Sequence, residues 1–183
     1  SDNTAVGRNA LGATTTGHSN VAVGSNALQN NTTSFNTAVG YNAAKDTTSG
    51  LANVAVGTSA LVSNTTGSNN VAIGLDTLQV STTANNNIAI GRDAMKSNTS
   101  GTQNVAVGTY SLDAATTANN NTTVGYNSLG ATTTGAGNTA LGMQALQDNT
   151  TADNNTAVGN EALRRNTTGA ANVAIGALAL DAN

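Results

Sequence analysis

An all-β fold, a parallel β-solenoid or β-roll of eleven coils of about 17 residues, is predicted by three observations. The stretch Asn53-Val54-Ala55-Val56-Gly57 returns as Asn70-Val71-Ala72-Ile73-Gly74, as Asn104-Val105-Ala106-Val107-Gly108 and eight more times. The closing glycines, Gly7, Gly24, Gly40, Gly57, Gly74, Gly91, Gly108, Gly125, Gly142, Gly159 and Gly176, are spaced 17, then 16, then 17 eight times over. A period this constant marks units that stack on their neighbours. The apolar residues recur in short strand-like patches, with no stretch of helical spacing between them.

The coils begin at Asn3, Asn20, Asn36, Asn53, Asn70, Asn87, Asn104, Asn121, Asn138, Asn155 and Asn172, so residues 1–183 form one repeat domain. Asn is therefore the first position of every coil. Position 2 is Val, Ile or Thr, position 3 is Ala except for Thr123, position 4 is Val, Ile or Leu, and position 5 is Gly. Alternation along a strand puts positions 2 and 4 on one face and 1, 3 and 5 on the other. β-Branched residues at 2 and 4 suit a packed, pleated surface. The small Ala column is expected to pack against the other wall of the coil or against another chain, which favours a homo-oligomer. Stacked copies make ladders, here Asn53-Asn70-Asn87, Val56-Ile73-Ile90 and Gly57-Gly74-Gly91, and an internal Asn ladder lets each amide bond to the next.

Positions 8 and 9 are a second apolar pair, as in Ala27-Leu28, Ala60-Leu61 and Ala94-Met95. Positions 6 and 7 vary, as an exposed edge does. A turn follows: position 13 is Thr in every coil that reaches it, including Thr65, Thr82 and Thr99, and position 15 is mostly Gly or Ala. Asn, Thr, Ser and Gly at this density read as a turn held by side-chain to backbone hydrogen bonds. The second coil loses one residue in this turn, near Ser34 and Phe35. A rise of one strand spacing per coil makes a rod about 50 Å long.

Composition fits a thin stack better than a globule. Charged residues are 8% and aromatics 2%, with no Pro, Cys or Trp. Disordered chains are usually charged and aperiodic, whereas here the apolar residues return on schedule. The net charge of −3, without a basic stripe, argues against nucleic acid. No apolar run reaches the length of about 18 residues that a membrane span needs.

The pattern Asn70-Val71-Ala72-Ile73-Gly74 resembles the repeat of the YadA-like head domains of trimeric autotransporter adhesins, and related Asn-Thr-Ala-Val-Gly repeats of phage tail fibres. The resemblance covers the whole chain. It implies a left-handed parallel β-roll, an extracellular or cell-surface location, three chains side by side, and a role in adhesion or fibre building. The 17-residue period, with its added Thr-rich turn, is longer than in that family, and neither the family's heptad stalk nor its membrane anchor is expected within residues 1–183.

The first and last coils share the register of the rest, with no cap, and the chain is three residues short of a whole number of coils. Head-to-tail stacking of open strand edges into a filament is one reading of this, and a segment of a longer repeat protein is the other.

Few residues offer chemistry. His18 is the single histidine and there is no cysteine, so neither a nucleophile–base pair nor a zinc site is expected, and no catalysis or cofactor is assigned. Asp76 and Asp93 share position 7 in adjacent coils beside Arg92, which is at most a weak calcium pair and otherwise a solvated charged edge. Tyr41, Tyr110 and Tyr126 are not expected to meet in neighbouring coils or to form a sugar-stacking platform. Asn31, Asn64, Asn98, Asn149 and Asn166 lie in Asn-x-Ser/Thr triplets at the turn, where a row of glycans could be displayed. The partners expected are copies of the chain itself and surface glycans. The leading function is a structural subunit of an extracellular fibre or adhesin-like rod. The alternatives are ice binding by the position-13 Thr array and a tail-fibre shaft segment.

Overall fold

A computed structural model describes residues 2–181, which form eleven three-residue strands in one parallel sheet whose spatial order is the chain order. The strands are β1 (Thr4–Val6), β2 (Val21–Val23), β3 (Thr37–Val39), β4 (Val54–Val56), β5 (Val71–Ile73), β6 (Ile88–Ile90), β7 (Val105–Val107), β8 (Thr122–Val124), β9 (Thr139–Leu141), β10 (Thr156–Val158) and β11 (Val173–Ile175). There is no helix among the described residues. The chain is a β-solenoid, one strand per coil. The last two residues of the coil that begins at Asn172 lie outside the described residues.

Register is kept residue for residue. Val54 pairs with Val71, Ala55 with Ala72 and Val56 with Ile73, and the next pair aligns Val71, Ala72 and Ile73 with Ile88, Ala89 and Ile90. The shortened second coil does not disturb it, since Val21, Ala22 and Val23 face Thr37, Ala38 and Val39. Thr33 takes over the missing turn residue there. Its carbonyl accepts from Asn20 Nδ2 at 2.7 Å and from Asn31 Nδ2 at 2.9 Å.

The two faces of the strand divide otherwise than the β-branched pattern suggests. Ala38, Ala55, Ala72, Ala89 and Ala106 are fully buried and join one continuous core with the position-9 Leu column. Positions 2 and 4, including Val56, Ile73 and Ile90, point outward and are exposed or half-buried. The cause is the width of the coil. The Leu28, Leu61, Leu78 and Met95 column shares that narrow interior with the position-3 alanines, which leaves little space beside the strand. The β-branched columns are in register yet outside.

The rest of the coil is a run of tight turns. Ala10 N donates to Gly7 O and Gly12 N to Asn9 O. The third residue of each turn has positive φ, 59° at Asn9 and 53° at Leu11, the pattern of type II turns. Three non-glycine positions per interior coil, 7, 9 and 17, adopt this left-handed conformation, with Gly137 taking its place once. A left-handed Leu costs about 1–2 kcal/mol, and complete burial of its side chain returns about 1.5–3 kcal/mol. Burial decides the balance, which explains why position 9 is the least polar of the three.

Hydrogen bonds parallel to the axis continue round the whole coil. Gly57 N donates back to Val39 O and Val54 N forward to Asn70 O. Outside the strands, Leu61 N reaches Thr77 O, Thr65 N reaches Thr82 O and Asn69 N reaches Leu51 O. Each coil is thereby tied to both neighbours at its turns as well as its strand.

Gly74 closes its strand at φ +139°, and a Cβ there would sit 2.5 Å from Gly91 O. Only glycine tolerates both the angle and the approach. Gly74→Ala is expected to destabilise the rod by about 2–4 kcal/mol, measured as a lower urea midpoint. An unchanged midpoint would mean that the neighbouring strand yields freely.

Candidate functional surfaces

The position-1 asparagines from Asn20 to Asn155 are buried, and those from Asn53 to Asn138 use both amide hydrogens, whereas Asn155 Nδ2 has no partner among the described residues. Asn70 Nδ2 donates to Asn53 Oδ1 at 3.2 Å and to Ala84 O, across its own coil, at 2.8 Å. Its Oδ1 accepts from Asn87 N at 3.1 Å and Asn87 Nδ2 at 3.2 Å. Each amide thus links strand to turn within one coil and joins two coils to each other. Such an amide has no capacity left for a ligand, and the column is architecture.

Position 12 makes a second internal column. Asn64 and Asn98 are fully buried and Asn166 is 3% exposed. Their Nδ2 atoms donate to Gly67 O at 3.0 Å, Gly101 O at 3.1 Å and Gly169 O at 2.8 Å. Asn31 and Asn149 are equally buried. A glycan cannot be attached to an amide nitrogen that faces the core, so the expectation of a displayed glycan row at these asparagines is corrected. The position-13 threonines lie at the surface, with Thr82 and Thr99 exposed and Thr65 half-buried. Their hydroxyls donate to the next coil: Thr65 Oγ1 to Thr82 O at 3.0 Å, Thr82 Oγ1 to Thr99 O at 3.3 Å, and Thr99 Oγ1 to Thr116 O at 3.0 Å.

The varied positions 6 and 7 hold a charged cluster more buried than an edge. Asp93 has a side chain only 6% exposed, with Arg92 Nε 3.0 Å from Oδ2 and Lys96 Nζ 3.0 Å from Oδ1. Asp76 Oδ1 accepts from Gln79 Nε2 at 2.8 Å. With Asp93 held by two cations and Asp76 bonded elsewhere, the pair does not converge on a calcium ion. No group of three potential ligands forms among the described residues. The bond to Asp93 raises the Lys96 ammonium above its ordinary value of 10.5. The stability from this pair is therefore complete below that value and is lost as pH rises through the raised one. Burial raises the Asp113 carboxyl, so the fold favours its neutral form and that contribution likewise declines as pH rises.

Tyr110 and Tyr126 do meet, contrary to expectation. They lie in consecutive coils, with rings 6.0 Å apart and nearly perpendicular, and Arg92 sits 5.7 Å from the Tyr110 ring centre. Perpendicular rings are not a flat stacking platform. His18 packs edge-on against Phe35 at 5.1 Å, beside the shortened turn.

Two features escaped the sequence reading. One is a buried hydroxyl cluster. Thr123, the exception at position 3, bonds to Ser128, and Ser111 Oγ lies 3.2 Å from Thr123 Oγ1. Both serines replace the usual Ala of position 8, which is a signal visible in the sequence once positions 3 and 8 are known to face each other. The other is a two-coil period in the turn. Ala84-Asn85-Asn86, Ala118-Asn119-Asn120 and Ala152-Asp153-Asn154 alternate with glycine-led turns at Gly67, Gly101, Gly135 and Gly169.

No protein-family model matches the chain, and no curated protein or solved structure does. The described residues form no pocket.

Asn70→Ala leaves Ala84 O and Asn87 N without their buried partners and is expected to cost about 3 kcal/mol, read from chemical denaturation. A cost below about 0.5 kcal/mol, usual for a surface site, would overturn the architectural role of the column. In the hydroxyl cluster, Thr123→Ala alone leaves Ser128 its bond to Gly125 O and its contact with Ser111, whereas Thr123→Ala with Ser111→Ala and Ser128→Ala restores the apolar column. The triple variant is expected to be at least as stable as the parent, with a coupling of about 1 kcal/mol between Thr123 and Ser128 in the mutant cycle. Strict additivity would show that the two hydroxyls act separately.

Proposed function

We propose that this chain is a structural rod of an extracellular fibre or adhesin-like surface, associating side by side along the outer face of its sheet and stacking end to end. The observation that carries the reading is the outward aliphatic face. Positions 2 and 4 form two unbroken columns of Val, Ile, Leu and Thr down the rod, with Ile73 37% and Ile88 40% exposed. Tyr41, Leu75, Tyr126 and Met143 extend this surface at position 6. Soluble monomers seldom leave so long an apolar surface uncovered, and a second copy presents the same columns at the same spacing. β1 and β11 each have one unpaired edge among the described residues, and strand edges template further pairing.

The resemblance of the five-residue core to adhesin head repeats and tail-fibre repeats supports an extracellular or cell-surface location, and a tail-fibre shaft is the same physical object in another setting. Ice binding draws less support, because the hydroxyl hydrogens of the Thr column are spent on carbonyls of the next coil.

Val56→Lys with Ile90→Lys and Val124→Lys charges the outer face in alternate coils, so that like charges do not sit on adjacent strands. In sedimentation and negative-stain electron microscopy the parent is expected to form multi-chain rods, and the triple variant single rods of unchanged circular dichroism. Single rods of the parent at high concentration would refute lateral association. Lengthening of the variant into thin filaments would isolate end-to-end stacking.

A further inference from the structure

Position 17 forms a second surface array, which the fold itself does not use. It holds Asn69, Asn86, Gln103, Asn120 and Asn154, broken once by Gly137, and all of these residues are exposed. The five amide-bearing residues share the left-handed conformation at φ 58–59°. Their side-chain amides take no hydrogen bond among the described residues, in contrast to inner amides such as that of Asn70. The residues beside them are clamped. Asn85 Oδ1 accepts from Ser68 N at 2.8 Å, Asn119 Oδ1 from Thr102 N at 2.7 Å, and Asp153 Oδ1 from Ala136 N at 2.7 Å. Asn85 and Asn119 also donate to Thr83 O and Thr117 O, both at 2.9 Å. These clamps recur every second coil and fix the backbone that carries the free amides.

We propose that this rail binds an extended, neutral, hydroxyl-rich chain, a linear polysaccharide lying along the rod axis. Its linear form and the absence of a pocket among the described residues require a long ligand held by many weak contacts. An amide offers both donors and an acceptor without charge, which matches hydroxyl groups and gives nothing special to an anion. One amide per coil, about 4.8 Å, is close to the length of one extended sugar unit, and the two-coil period of the clamps to that of a disaccharide. An extended peptide repeats every two residues at about 6.6–6.8 Å and falls out of step. A polyproline-type helix turns every three residues at about 9.3 Å, near two coils, but such helices dock on aromatic grooves and this rail holds no aromatic residue between Asn69 and Asn154. The rail lies outside columns 2 and 4, so the inference stands without lateral association.

The test is titration of the intact chain with a β-1,4-linked glucose hexasaccharide, its α-1,4-linked counterpart, which curls, and a proline-rich peptide, followed by calorimetry and amide NMR shifts. The β-linked chain is expected to bind and to shift resonances between Asn69 and Asn154. Asn86→Gly with Gln103→Gly and Asn120→Gly, using the residue that Gly137 already supplies at this left-handed position, should weaken it by about tenfold or more without lowering the melting temperature. Undiminished affinity in that variant, equal binding of the α-linked chain, binding of the peptide alone, or no binding at millimolar saccharide would each overturn the proposal.

Discussion

The buried amide of position 1 is the interaction on which the rest of the rod depends. A strand of three residues gives its neighbour too few ladder bonds to hold a sheet alone. The Asn70 side chain adds bonds in two directions at once, along the axis to Asn53 and Asn87 and across the coil to Ala84 O. It fixes register, because a turn of whatever length must bring a carbonyl to the amide. The second coil illustrates the constraint: one residue is lost, yet Thr33 O still meets Asn20 Nδ2.

A narrow interior follows from that constraint, and the narrow interior dictates the surface. With a Leu column sharing the interior, position 3 is small in every strand but β8, and the larger aliphatic residues of the strand lie outside. An ordinary domain would bury them. Here Val54, Ile73 and Val107 serve the sheet through their backbone preference, and their side chains stay on the outer face. Thr123 marks the limit of the interior, where a larger and polar group is admitted only with two serine hydroxyls beside it.

Much of this was legible in the sequence because translation along an axis makes every column visible as a repeat. The strand, the closing glycine and the coil boundaries could be read from Asn53 to Gly57 alone. Which face is inside could not, since alternation separates Ala55 from Val54 and Val56 without saying which side holds the core. The buried Asn64 and Asn98 were hidden by their setting, because a polar residue in a Thr- and Gly-rich turn looks exposed until its amide is seen bonded to Gly67 O and Gly101 O. The alternation of Ala84 and Ala118 with Gly101 and Gly135 was masked by the stronger single-coil period. The meeting of Tyr110 with Tyr126 crosses from position 7 to position 6, and so appears in no single column.

The axial direction of the hydrogen bonds has a mechanical meaning. The first and last strands of the described chain lie at opposite ends of the stack, so tension between them acts along the bonds that join coil to coil. A sheet loaded this way opens as a zipper does, one row at a time, and does not shear as a block. Each coil set free yields up to about 55–60 Å of extended chain, longer than the folded rod itself at about 50 Å. The rod would therefore act as a reserve of length, yielding in equal steps under a pull and reclosing on the template of its last intact coil.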